Sequence, residues 1–106
     1  MPAIVQVQTT FASPDDAAKV AREVVQARLA ACAQILPGVH SIYIWDDQLH
    51  EENEVLLLLK TTEATWPDLR DRLAQLHPYD TPEIIATVIS HASFEYATWL
   101  RENCKR

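Results

Sequence analysis

The stretch from Cys32 to Thr62 constrains the fold most, because it places large apolar side chains on both faces of what must be extended backbone. Val39, Ser41, Tyr43 and Trp45 fall on one face of such a strand, and His40, Ile42, Ile44 and Asp46 on the other. The return arm, Glu54 to Thr62, contains the run Val55-Leu-Leu-Leu-Leu59, which reads as a central strand covered on both sides. Pro37-Gly38 interrupts the outgoing arm where a missing donor and a permissive backbone predict a bulge, and Asp46 to His50 reads as the hairpin tip. A sheet backed by helices on one face leaves its other face to water, a poor neighbour for Tyr43, Trp45 and four consecutive leucines. A second copy of the chain is the simplest cover. At roughly 25 cal/mol per Å² of apolar surface, an interface of about 2,000 Å² supplies a gross driving force of tens of kcal/mol before entropy and desolvation are subtracted.

The remaining elements follow from local signals. Ala3 to Thr10 has the two-residue period of a strand with Val5 and Val7 inward. Ser13, Pro14, Asp15 and Asp16 form a strong helix start, and Val20, Ala21, Val24 and Leu29 then recur at helical spacing to about Ala31. Thr65 with Asp68 three residues on, and Pro67 in the first turn, open a second helix carrying Trp66, Leu69, Leu73 and Leu76 inward. Ile84 to Ser90 reads as the fourth strand and Phe94 to Asn103 as a short closing helix. The order is β-α-β-β-α-β plus a terminal helix, an α+β, ferredoxin-like sandwich expected to fill 1–106 as a single domain.

Composition narrows the function. With 15 acidic and 9 basic residues the net charge is −6, which repels nucleic acid and anionic membranes, and no apolar run approaches the ~20 residues of a membrane helix. Cys32 and Cys104 are far apart and no basic-then-apolar leader precedes the first strand, so a reduced, cytoplasmic setting is expected. A single glycine, Gly38, argues for a stiff scaffold rather than a lid-closing enzyme. No Ser or Cys nucleophile stands in a recognisable catalytic signature and no glycine-rich phosphate loop is present, so catalysis is not expected.

The second distinctive segment is His77-Pro-Tyr-Asp-Thr-Pro-Glu83. Each proline fixes its own φ and pushes the residue before it out of the helical region, which ends the second helix at Leu76 and launches the next strand at Glu83. Such a corner can hold the His77 imidazole, the Tyr79 hydroxyl and the Glu83 carboxylate in fixed relative positions.

This corner, extended to Ile85 and read with Leu29–Gly38, Ser41–Trp45, Glu52–Val55, Lys60–Thr62 and Tyr96–Leu100, resembles the CutA family of divalent-cation tolerance proteins, over about Val5 to Leu100. The resemblance implies a PII-like homotrimer whose sheets face inward and whose long strands reach across to neighbours. It implies a binding or signalling scaffold that responds to metal ions such as copper, with no required cofactor and with Cu or Zn as candidate ligands. Copper sites proposed in the family use a cysteine at the end of the first strand and a histidine pair before Pro-Tyr. Thr9 and Leu76-His77 stand at those positions here, leaving His77 as the one metal-ligand candidate. Neither a His-x-x-x-His nor a Cys-x-x-Cys pair exists among His40, His50, His77, His91, Cys32 and Cys104. The alternative reading is a PII-like regulator with a small molecule in the inter-subunit cleft, lined by Trp45, Lys60, His77, Tyr79 and Glu83, or a metal-independent structural trimer. Structural roles compete at each position: Lys60 as a strand-end charge, Tyr79 as a turn anchor and Trp45 as an interface aromatic.

Overall fold

Local start and stop signals set most element boundaries in the computed structural model, which describes residues 3–105; Met1, Pro2 and Arg106, included in the single-domain reading, lie outside the described residues. Strand β1 (Ile4–Phe11) leads into helix α1 (Pro14–Gln26), where Ser13 Oγ accepts from the Asp16 N–H at 3.1 Å and proline occupies the first turn. Strand β2 (Cys32–Trp45) and strand β3 (Gln48–Thr62) form the long hairpin. Helix α2 (Trp66–Leu76), strand β4 (Ile85–Ile89) and helix α3 (Phe94–Glu102) complete the chain. All pairings are antiparallel in the order β2-β3-β1-β4, so the α+β topology expected from the element order is present.

Several boundaries differ from the sequence reading, each for a stated reason. Helix α1 ends at Gln26 rather than near Ala31. Arg28 takes the left-handed conformation at φ 63°, and the following backbone serves the sheet instead, with the Ala31 N–H donating to the Lys60 carbonyl at 2.8 Å. The hairpin tip is only Asp46-Asp47, both left-handed at φ 54° and 59°, a two-residue turn that acidic side chains tolerate and that matches strand twist. Strand β3 therefore begins at Gln48, six residues before Glu54. Thr65 makes no capping bond within α2; its hydroxyl donates instead to the Lys105 carbonyl, tying the C-terminal segment down. Strand β4 starts two residues after Glu83, and α3 is capped by Ser93, whose Oγ accepts from the Tyr96 N–H. The bulge expected at Pro37-Gly38 is present as a register shift between Leu36 and Val39, with Gly38 at φ 82°.

The core lies between the helices and one face of the sheet. Val5, Val7 and Phe11 of β1 and Val55, Leu57 and Leu59 of β3 pack there against Val20, Val24, Leu69 and Leu73. A second cluster, Ile4, Ala31, Ala97, Leu100 and Cys104, closes the end of the sheet under α3. The Leu56 and Leu58 side of β3 is only half-buried, so within one chain the leucine run is covered on one face, not two. Beyond the bulge the β2–β3 ribbon projects from the body. The radius of gyration is 14.3 Å and the longest dimension 44 Å, against about 13 Å for a compact chain of this length.

Candidate binding groove beside the proline corner

His77 is the pin of the corner. Its backbone is extended, at φ −71° and ψ 133°, as the following proline demands. The ring is buried and stacks on Phe11 with centroids 4.3 Å apart. Nε2–H donates to the Thr10 carbonyl at 2.8 Å, and Nδ1 accepts from the Tyr79 N–H at 3.1 Å, so the bonds select one neutral tautomer. Burial holds the His77 pKa below the usual histidine range, outweighing the raising effects of the Thr10 carbonyl and of Glu54 and Asp16. Both ring nitrogens are thus committed within the chain, and a metal at His77 would have to displace one of these bonds.

The next residue outward is Tyr79, whose ring is tilted on His77 at 4.8 Å and whose hydroxyl donates to Glu54 Oε2 at 2.8 Å. Burial and then the neighbouring Glu54 carboxylate raise the Tyr79 pKa far above the usual phenol range, keeping the hydroxyl a donor. Glu54 is 8% exposed, on the β3 face that carries Glu52, Leu56 and Leu58. The chain thus lays a continuous tie from β1 through His77 and Tyr79 to the base of the ribbon.

Between the ribbon and the corner lies a groove of about 620 Å³. Ser41, Tyr43, Trp45, Glu52 and Glu54 form the ribbon wall, and Tyr79, Asp80, Thr81 and Glu83 the corner wall. Glu83 is steadied by the Gln8 amide, which donates to Oε2 at 3.0 Å. Of the residues expected together, the groove gathers Trp45, Tyr79 and Glu83; His77 stands behind it as their support. Lys60 does not join them. It lies six residues along β3 from Glu54, about 20 Å at ordinary strand rise, with Nζ donating to Gln34 Oε1 at 2.7 Å. Thr9, at the position of the proposed copper cysteine, is completely buried in the helix-covered face and opens onto no groove.

The sequence reading missed Glu54 and Tyr43 as site residues. Glu54 appeared as the start of a strand and within the Glu52–Val55 segment, with no site role, and nothing local to it reveals that the Tyr79 hydroxyl arrives from 25 residues away. Among the described residues no three His, Cys, Asp or Glu side chains converge to hold a metal ion. Cys32 and Cys104 are free thiols, Cys32 lying 3.5 Å from the Tyr96 hydroxyl and Cys104 buried beside Thr61. The histidine contacts found here join neither thiol. No helix is long and apolar enough to cross a membrane among the described residues.

Comparison with known proteins agrees with this architecture. The family model described as CutA1 divalent ion tolerance protein matches residues 5–103. The divalent-cation tolerance protein CutA of Thermus thermophilus is 47% identical over 94 residues, covering 89% of this chain and 91% of that protein. The solved structure of the divalent cation tolerance protein (Cut A1) from the same organism superposes with a TM-score of 0.93 at 44% identity, covering 96% of this chain and 99% of that one. CutA1 from Oryza sativa gives a TM-score of 0.94 at 30% identity, over 98% and 95% of the two chains. With the family model matched over residues 5–103 and relatives up to 47% identical over nearly the full length, this chain belongs to the CutA1 divalent ion tolerance family.

Proposed function

We propose that the chain serves in divalent-cation tolerance as a homotrimeric, cytoplasmic binding and signalling scaffold rather than as an enzyme. The family match along residues 5–103 supports the tolerance role. The observation that carries the assembly is the bare apolar ribbon: Ile42, Ile44, Leu49 and Trp45 are between 54% and 66% exposed, on both faces of a structure too thin to shelter them. Ile35, Leu36, Ile85 and Trp99 extend the uncovered apolar surface over the body. Three copies packed with their open sheet faces inward, in the PII-like manner the family resemblance implies, would bury this surface and form clefts between subunits. In that arrangement Lys60 reaches a cleft shared with Trp45, Tyr79 and Glu83 only if neighbouring copies supply part of the lining.

Light scattering on the purified protein should return about three times the 12.0 kDa chain mass, and Ile44→Asp should lower it. A 12.0 kDa particle at micromolar concentration would refute the trimer. Copper or zinc is the ion class of this reading, with His77 as the ligand to test. Binding there requires the ring to release the Tyr79 N–H or the Thr10 carbonyl. Calorimetric titration of Cu(II) and Zn(II) into the wild type and His77→Ala decides the point: heats lost in the variant assign the ligand, and equal heats remove it.

A further inference from the structure

The exposed ribbon carries a titratable pair on one of its apolar faces. His40, Ile42 and Ile44 of β2 share that face with Asn53, Glu51 and Leu49 of β3, their respective cross-strand partners. His40 Nε2 lies 2.9 Å from Glu51 Oε1, and Nδ1 lies 3.4 Å from Asn53 Oδ1, so both ring nitrogens meet an oxygen. A neutral imidazole has one N–H and serves only one of them, whereas an imidazolium donates to both. Glu51, and then Asn53, accordingly hold the His40 pKa above the usual histidine range, against a smaller lowering by desolvation. Glu52, Glu54, Tyr43 and His50 occupy the opposite face of the ribbon. Helix α1 also packs against β2, and none of its charged groups acts on the ring.

In a single chain this pair is exposed, and water and salt screen its attraction. Covering the face changes that. Ile42, Ile44 and Leu49 are 60%, 66% and 63% exposed, so a neighbouring copy that buries them takes His40 and Glu51 out of water as well. There an imidazolium and a carboxylate keep each other paired, while a neutral ring leaves Glu51 as an uncompensated charge at the contact. Asn53 can turn its amide nitrogen toward a neutral ring; Glu51 has no such remedy. We propose that His40 is a proton switch on assembly, whose protonated form, held by Glu51, strengthens the contact between copies and whose neutral form weakens it. This deepens the homotrimer reading and rests on it. Covering the pair raises the His40 pKa further, so the added association is complete below the pKa of the separate chain and is lost as pH rises through that of the assembly.

Sedimentation velocity of the full chain over a dilution series, at about pH 6 and about pH 8.5 on either side of the raised histidine range, measures the association at each protonation state. Association should be about tenfold tighter at the lower pH, with three ribbons contributing. Protonating the other histidines also reduces the net charge of −6 and eases contact between copies, so two variants carry the assignment. His40→Gln keeps a polar side chain that gains no proton, and Glu51→Gln removes the charge that holds the proton. Both positions are exposed, so both variants should fold as the wild type does, and in each the pH effect should shrink to the same small background. A trimer whose pH response is unchanged in both variants overturns the proposal and leaves the homotrimer standing. A chain that remains at 12.0 kDa at both pH values overturns the two together.

Discussion

The two faces of the leucine run in strand β3 meet opposite fates although the side chains are identical. Leu57 and Leu59 point into the helix-covered core and are fully buried, whereas Leu56 and Leu58, one position away, are half-buried on the open face. Farther out, where no helix reaches either face, Ile44 and Leu49 pair across the ribbon with most of their surface in water. Hydrophobicity alone therefore does not place a residue in this protein; the layer that a helix supplies does. The covered face makes the chain a folded unit, and the bare face makes it a surface in search of a partner.

Neighbouring leucines put this contrast under the greatest strain. Leu57→Ala should cost about 2–5 kcal/mol in denaturant unfolding at any protein concentration, because it opens a cavity in the helix-covered core. Leu58→Ala should cost much less in the dissociated chain, and its larger effect should emerge only where copies associate. Equal losses at high dilution for both variants would show that the open face is packed within one chain after all.

A pH profile probes the tie between the covered core and the corner. The His77 pKa is lowered in the fold, chiefly by burial, so its neutral packing contributes fully above the unfolded value of 6.5 and is lost as pH falls from there through the depressed folded value. Stability should decline below about pH 6.5, and His77→Gln should flatten that part of the curve while lowering stability at neutral pH. An unchanged slope in the variant would assign the acid sensitivity to other groups.

The mildest change lies within the covered face itself. Thr9 is buried with its hydroxyl unpartnered among the described residues, on the same face as Val7 and Phe11. Thr9→Val removes a desolvated polar group at nearly constant shape and should stabilise the chain by about 1 kcal/mol, read as an upward shift of the urea midpoint with unchanged slope. A destabilised variant would mean that the hydroxyl has a water partner.

Particular residues show where sequence was enough. Ser13-Pro14 sets the start of α1, Pro78 and Pro82 fix the corner, and Pro37-Gly38 produces the bulge, because each acts through dihedral limits or a bond to a near neighbour. The alanine-rich stretch after Gln26 misleads for the opposite reason. Helix propensity there is good, but the Leu29 carbonyl is taken by the Thr61 hydroxyl and the Ala31 amide by Lys60, partners that no local window contains. Thr65 fails as a side-chain cap in the same way, its hydroxyl going to a carbonyl 40 residues on. At the groove, Trp45, Tyr79 and Glu83 meet within one chain, while the ties of His77 to Thr10 and Tyr79 and of Tyr79 to Glu54 left no local signal in the sequence.

The order of elements, the stiff corner and the excess of apolar surface on the long hairpin were all written in the chain, as consequences of periodicity and backbone restriction within a few residues. Folding alone settled which of those apolar faces a helix covers, that both nitrogens of His77 are consumed inside the chain, and that Glu54 meets Tyr79 beneath a groove. These depend on side chains brought together across tens of residues, and a hydrogen bond or a buried charge carries no periodic trace in the chain that makes it.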